Sequence, residues 1–214
     1  MCDFHVNLEK IDRMAGLTFQ NSIRLHFDSI VLYKNKSYPS AYFLSILALE
    51  ELGKVYLLDH FLFHSRTDGR MGAEMDKKWL NDIYNHKSKQ SWFEFATNHL
   101  LAKEFIRLVR SGKLEILKQN SVYVGLPKIQ RSINLKGKII NPFKITDEKS
   151  KNQITIMNDC LLEQCLIVIK EIGCLDTYYA EEIINEVLVN EIEKRWEFQS
   201  CKAKQNITQL KKIC

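Results

Sequence analysis

The scarcity of chain breakers constrains this sequence most. Only three prolines, Pro39, Pro127 and Pro142, and eight glycines are spread over 214 residues. Proline removes a backbone donor and clashes with the preceding helical turn, and glycine weakens a helix entropically, so long stretches without either favour continuous helix. The expected fold class is therefore all-α.

Apolar periodicity places the helices. Leu8, Ile11, Ala15, Phe19, Ser22, Phe27 and Ile30 recur at three- and four-residue steps, which predicts an amphipathic helix over residues 8–33. Lys34-Asn35-Lys36-Ser37 interrupts the pattern, and Pro39 suits the first turn of a second helix running to about residue 63. That helix is apolar around most of its circumference, which marks it as central. Trp79, Ile83, Phe93, Leu101 and Leu108 suggest a third helical stretch over 76–110, with a break near Lys87-Ser88-Lys89. Thr146 offers a capping hydroxyl before a helix that covers 154–172, and Asp176 or Thr177 can cap a last helix ending near Trp196.

The segment 113–150 reads differently. Gly125, Pro127, Gly137 and Pro142 are spaced among short β-branched pairs, so it is expected to be a loop with at most a small hairpin. The expected organisation is one helical domain over about 1–200, a basic insertion at about 113–150, and a polar, fraying tail at 201–214. The net charge of +5 is concentrated: residues 102–151 hold twelve Lys or Arg against four Asp or Glu. Such a field attracts nucleic acid or acidic protein.

Several function classes are excluded. There is no phosphate-binding glycine loop, no G-x-S-x-G elbow and no C-x-x-C element among the six cysteines. No apolar run has the roughly 20 residues of a membrane span; the nearest, 41–49, stops at Glu50. The N-terminus has no secretory pattern. The expectation is a cytoplasmic protein with no cofactor, no metal and no membrane partner, peripheral membrane contact being left open and without support in the sequence. His60 and His64 stand four apart, but no third ligand accompanies them.

Two places could carry chemistry. On a helical wheel, Glu51 shares a stripe with Leu44, Ala48, Val55, Leu58 and Leu62, and a carboxylate in apolar company needs a partner. Lys54 lies three residues beyond Glu51 and four beyond Glu50, at ion-pairing distance on a helix. His86 and Gln90 interrupt the stripe of Trp79, Ile83 and Phe93, with Lys87 and Lys89 beside them. Histidine next to lysine suits acid–base work on a phosphodiester, and either group could equally be a structural pair between helices.

Ala48-Leu49-Glu50-Glu51-Leu52-Gly53-Lys54 resembles the AbiV family of bacterial abortive-infection proteins, a branch of the HEPN superfamily of all-α domains. His86-Lys87-Ser88-Lys89-Gln90, Asn21-Ser22 and Asn120-Ser121-Val122-Tyr123-Val124 support the resemblance over about residues 10–160. It implies an antiphage role and a helical bundle that commonly dimerises. Many HEPN proteins are metal-independent ribonucleases with an Arg four to six residues before a His. This sequence has no such pair; the nearest is Lys54, six residues before His60. Lysine lacks the forked guanidinium contact to phosphate.

Two functions follow as expectations. The first is a homodimeric effector that binds a phage-encoded protein, or RNA and the translation machinery, and shuts down protein synthesis, with Lys128, Arg131, Lys136 and Lys138 on the recognition surface. The second is a ribonuclease with Glu51, Lys54, His86 and Lys89 as catalytic groups and Glu50 and Lys87 as binding groups.

Overall fold

A computed structural model describes residues 7–67, 73–129, 132–173 and 175–213. Its trunk is a pair of antiparallel helices, α1 (Leu8–Lys34) and α2 (Tyr38–Thr67). α1 buries the stripe Ile11, Ala15, Phe19, Ser22 and Ile30 that its sequence lays out. α2 is buried on nearly every side and occupies the middle of the domain.

α3 (Ala73–Tyr84), α4 (His86–Thr97) and α6 (Lys113–Asn120) pack on α2, and α5 (Lys103–Arg110) packs on α4 and α6. α7 (Asp147–Ile169) packs on both trunk helices, α8 (Tyr178–Glu181) against α1, and α9 (Glu186–Arg195) and α10 (Cys201–Leu210) against α7. The expected all-α class holds, and the small hairpin is present between α6 and α7. Its strands β1 (Lys128–Ile129) and β2 (Ser132–Ile133) pair antiparallel, with a bridge between Gly125 and Ile140.

Several boundaries differ from expectation, each for a local reason; α7 starts at Asp147 and not at residue 154, because the Thr146 side chain accepts the Lys149 amide and caps the helix there. The stretch 76–110 is three helices, broken close to the expected place and once more between Thr97 and Lys103. The first break falls at Asn85, whose side chain accepts hydrogen bonds from the Lys87 and Ser88 amides and so starts α4 afresh. The basic loop begins later than residue 113, because Leu114 and Lys118 give α6 a buried face, entered through Gly112 in the left-handed region at φ 68°. The last helix is split, since the Asn185 side chain caps α9 by accepting from the Leu188 amide. The tail does not fray over 201–210: Ser200 caps α10, and Ala203 and Ile207, one turn apart, are buried against α7.

Buried His26 and half-buried Asp59 make stability depend on pH in opposite senses. His26 is enclosed beside Asn158, 3.0 Å from its Oδ1, and burial lowers its pKa to about 4. Charging it is disfavoured in the fold, so this group costs stability as pH falls from about 6.5 to about 4. Asp59 accepts the Asp176 amide where the 175–177 segment meets α2, and burial raises its pKa to about 7. Between about pH 4 and 7 the folded carboxyl keeps a proton that the unfolded one has lost, so its contribution falls as pH rises through that window. Asp59→Asn, which keeps the accepting oxygen, is expected to raise Tm by a few degrees at pH 8 and to leave it unchanged at pH 4. Thermal unfolding followed by circular dichroism at both pH values checks this.

Candidate functional site

The site forms where α4 crosses α2. A Cβ at Gly53 would lie 2.0 Å from the Lys89 carbonyl oxygen, so only glycine permits this approach. One turn earlier on α2, Glu50 and Glu51 are adjacent in sequence and therefore point about 100° apart, to two different sides of the crossing.

On the first side, Glu50 is 1% exposed and its carboxylate is filled by donors from two other helices. His86 Nδ1 lies 2.7 Å from Oε2, while Gln90 Nε2 at 2.7 Å and Lys118 Nζ at 2.8 Å donate to Oε1. Lys118 also reaches Glu115 Oε2 at 2.7 Å, and Gln90 Nε2 reaches the same oxygen at 3.2 Å. Burial pushes the Glu115 carboxyl up, but hydrogen bonds from Lys118 and Gln119 and the charge of Lys118 outweigh it and hold the pKa below the usual value. The His86 side chain is half exposed, so its ring joins the buried network to solvent.

On the second side, Glu51 accepts a hydrogen bond from Asn21 Nδ2 at 3.1 Å and lies 3.8 Å from Lys89 Nζ. Arg24 donates to Asn21 Oδ1 at 2.9 Å, which orients that amide. Lys54 lies over the Tyr84 ring, 5.9 Å from its centroid. Burial lowers the Lys54 pKa; Glu51 opposes the shift and Lys89 adds to it. A half-desolvated amine of this kind gives up its proton more readily than a free lysine.

Among the described residues, Glu50, His86 and Glu115 are the group whose ligand atoms converge as a metal would require, all within 4.8 Å of one another. Their chemistry is that of an oxygen-rich divalent site. The Lys118 ammonium, bonded to both carboxylates, already stands as the cation between them.

The family profile described as AbiV, of the HEPN class, matches residues 10–163. This chain belongs to the AbiV family. No curated protein and no solved structure matches it. The AbiV match runs from α1 through most of α7 and takes in every residue of both clusters, whereas α8, α9 and α10 lie beyond it. AbiV membership associates the chain with abortive infection, a form of phage defence.

Within this AbiV domain the residues singled out from sequence are distributed unequally. Glu51, Lys54 and Lys89 meet on one side of the crossing, and Glu50 and His86 on the other. Glu50 is the more buried of the two glutamates, although the helical wheel gave Glu51 the apolar company. The wheel fails here because α2 is enclosed all round, so the packing of α4 and α6 decides which carboxylate is sealed. Lys118, not Lys54, neutralises Glu50. Lys87 is exposed and lies over Gly112, at the start of α6. Lys128, Lys136 and Lys138 sit on the insertion after α6, and Arg131 lies outside the described residues. Sequence reasoning missed Glu115 and Lys118. Their three-residue spacing was the available signal, hidden because the segment read as loop.

Lys118→Met leaves Glu50 buried without its cation. It is expected to cost about 3–5 kcal/mol of unfolding free energy. The double variant Glu50→Gln with Lys118→Met removes both charges and is expected to recover most of that loss. Urea unfolding of the three proteins checks the pair.

Proposed function

We propose that this protein is a cytoplasmic, homodimeric abortive-infection effector that blocks phage multiplication by binding a phage-encoded protein, or RNA and the translation machinery, and so shuts down protein synthesis. The observation that carries this reading is the arm between α6 and α7. Residues 121–146 hold five basic residues and no acidic one, and Lys136, Lys138 and Lys144 are all exposed. A basic surface on a loop held by a rigid scaffold suits recognition of an anionic partner. Glu50, by contrast, is saturated by its own helices and presents nothing to a partner.

A ribonuclease is the second reading, and one observation favours it. The His86 ring is anchored through Nδ1 on a buried carboxylate while the side chain stays half exposed. That arrangement suits a general base, because the carboxylate fixes tautomer and orientation. Lys54, with its lowered pKa, and Lys89 would supply positive charge to a phosphodiester, and Glu51 would hold them. The missing Arg–His pair weighs against this reading.

The two readings separate in phage-infected cells by measuring labelled amino-acid incorporation and total RNA integrity together. Lys136→Glu with Lys138→Glu is expected to abolish protection and to restore protein synthesis, in a protein that still folds. His86→Ala is expected to leave protection intact with RNA undegraded throughout. RNA fragmentation by the wild type that disappears in His86→Ala would establish the ribonuclease instead.

A further inference from the structure

The reading above uses the charge of the arm and leaves its apolar side chains without a role. The arm is anchored at both ends, by buried Ser121 before it and by buried Pro142 and Ile145 after it. Between residues 122 and 141 no described side chain is buried. Instead the arm presents large apolar groups to solvent: Tyr123, Val124, Ile133, Leu135, Ile139 and, just beyond, Phe143. Leu135 at 81% and Phe143 at 85% are more exposed than any other large hydrophobic residue described.

The backbone arranges these groups in a defined way. Gly125 and Ile140 exchange two hydrogen bonds, so they stand directly opposite each other. Side chains alternate along a strand, and Val124, Leu126 and Ile139 therefore share one face of the ladder. Leu135 and Lys136 form the tip of a turn closed by the Gly137 amide on the Asn134 carbonyl at 3.0 Å. The exposed apolar groups therefore alternate along the arm with exposed lysines at 136, 138 and 144.

A cluster of exposed apolar residues on this scale marks a contact surface, and its composition selects the partner. Two such arms face to face would oppose lysine to lysine. Single-stranded nucleic acid rewards aromatic stacking and arginine, whereas most apolar groups here are aliphatic. The core of a protein interface is depleted of lysine. An anionic bilayer accommodates both components at once: apolar tips enter beneath the headgroups, and lysine stems lie along them with the ammonium among the phosphates.

We infer that the arm docks on the surface of an anionic phospholipid bilayer, with Leu135 and Phe143 inserted below the headgroups and Lys136, Lys138 and Lys144 neutralising them. The contact is peripheral, because among the described residues no helix is long and apolar enough to cross a membrane. It assigns to a bilayer the lysines that the partner-binding reading gives to protein or RNA, so the vesicle and protection measurements together decide between the two.

Co-sedimentation of the 214-residue protein with vesicles tests the inference, using phosphatidylcholine alone or mixed with phosphatidylglycerol. Binding is expected to the mixed vesicles only, weakening as salt is raised. Leu135→Ser with Phe143→Ser is expected to reduce binding roughly tenfold or more, since two apolar anchors are lost. Lys136→Gln with Lys138→Gln is expected to weaken it as well, and Leu135→Trp to shift its emission to the blue on mixed vesicles. Absence of binding, or binding untouched by the Leu135 and Phe143 changes, would overturn the inference. Should those changes abolish phage protection while the wild type ignores vesicles, the arm contacts protein or RNA; the bilayer is then excluded and the partner-binding reading survives.

Discussion

A carboxylate sealed in the middle of a helical domain sets the terms for everything around it. Glu50 is taken out of water on the most enclosed helix, and an isolated charge there would be prohibitive without compensation. Compensation comes from His86 and Gln90 on α4 and from Lys118 on α6, so one side chain ties three helices together. Burying a pair of charges adds little net stability, but it penalises any packing that leaves one of them alone. The network therefore specifies how α4 and α6 sit on α2. Gly53 makes the arrangement possible, since the Lys89 carbonyl occupies the space a side chain would need.

The same crossing divides the chemistry of the AbiV domain in two. The Glu50 side is a closed structural network with one histidine at its edge. The Glu51 side, with Lys54, Lys89 and Asn21, is looser: the Glu51–Lys89 approach is 3.8 Å, longer than any contact within the Glu50 group. Rigid geometry and adjustable charge thus lie back to back on α2. The basic arm is a third feature, with buried residues at its two ends and no buried side chain among the described residues between them. A scaffold whose helices are locked by a buried charge can carry such an arm without its own packing being disturbed by whatever the arm contacts.

Much of the candidate site was legible from residue type and spacing. Glu51, His86 and Gln90 drew attention as polar groups on apolar faces, Glu50 and Lys54 by their ion-pair spacing and Lys89 as the neighbour of His86 and Gln90, and the structure brings each to the α2–α4 crossing. What misled was the assumption that partners lie on the same helix. The Glu50–Lys54 spacing permits an intrahelical pair, yet Lys118, far away in sequence, reaches Glu50 instead. The short helix α6 escaped notice because eight residues carry too little periodicity to stand out beside a loop rich in glycine and proline. The helix break at Asn185 was missed for a related reason: a capping side chain ends one helix and starts another without any proline or glycine to announce it.

The sequence by itself determined the all-α class, the central place of α2, the basic character of the insertion and the resemblance to the AbiV family. These depend on composition, apolar period and local motif, which are properties of neighbouring residues. Only the tertiary structure decided which of two adjacent glutamates is buried, which lysine neutralises it, and that residues 201–210 pack as a helix. Each of those depends on which surface meets which across many tens of residues. A helix that is apolar all round gives no local sign of where its neighbours will lie.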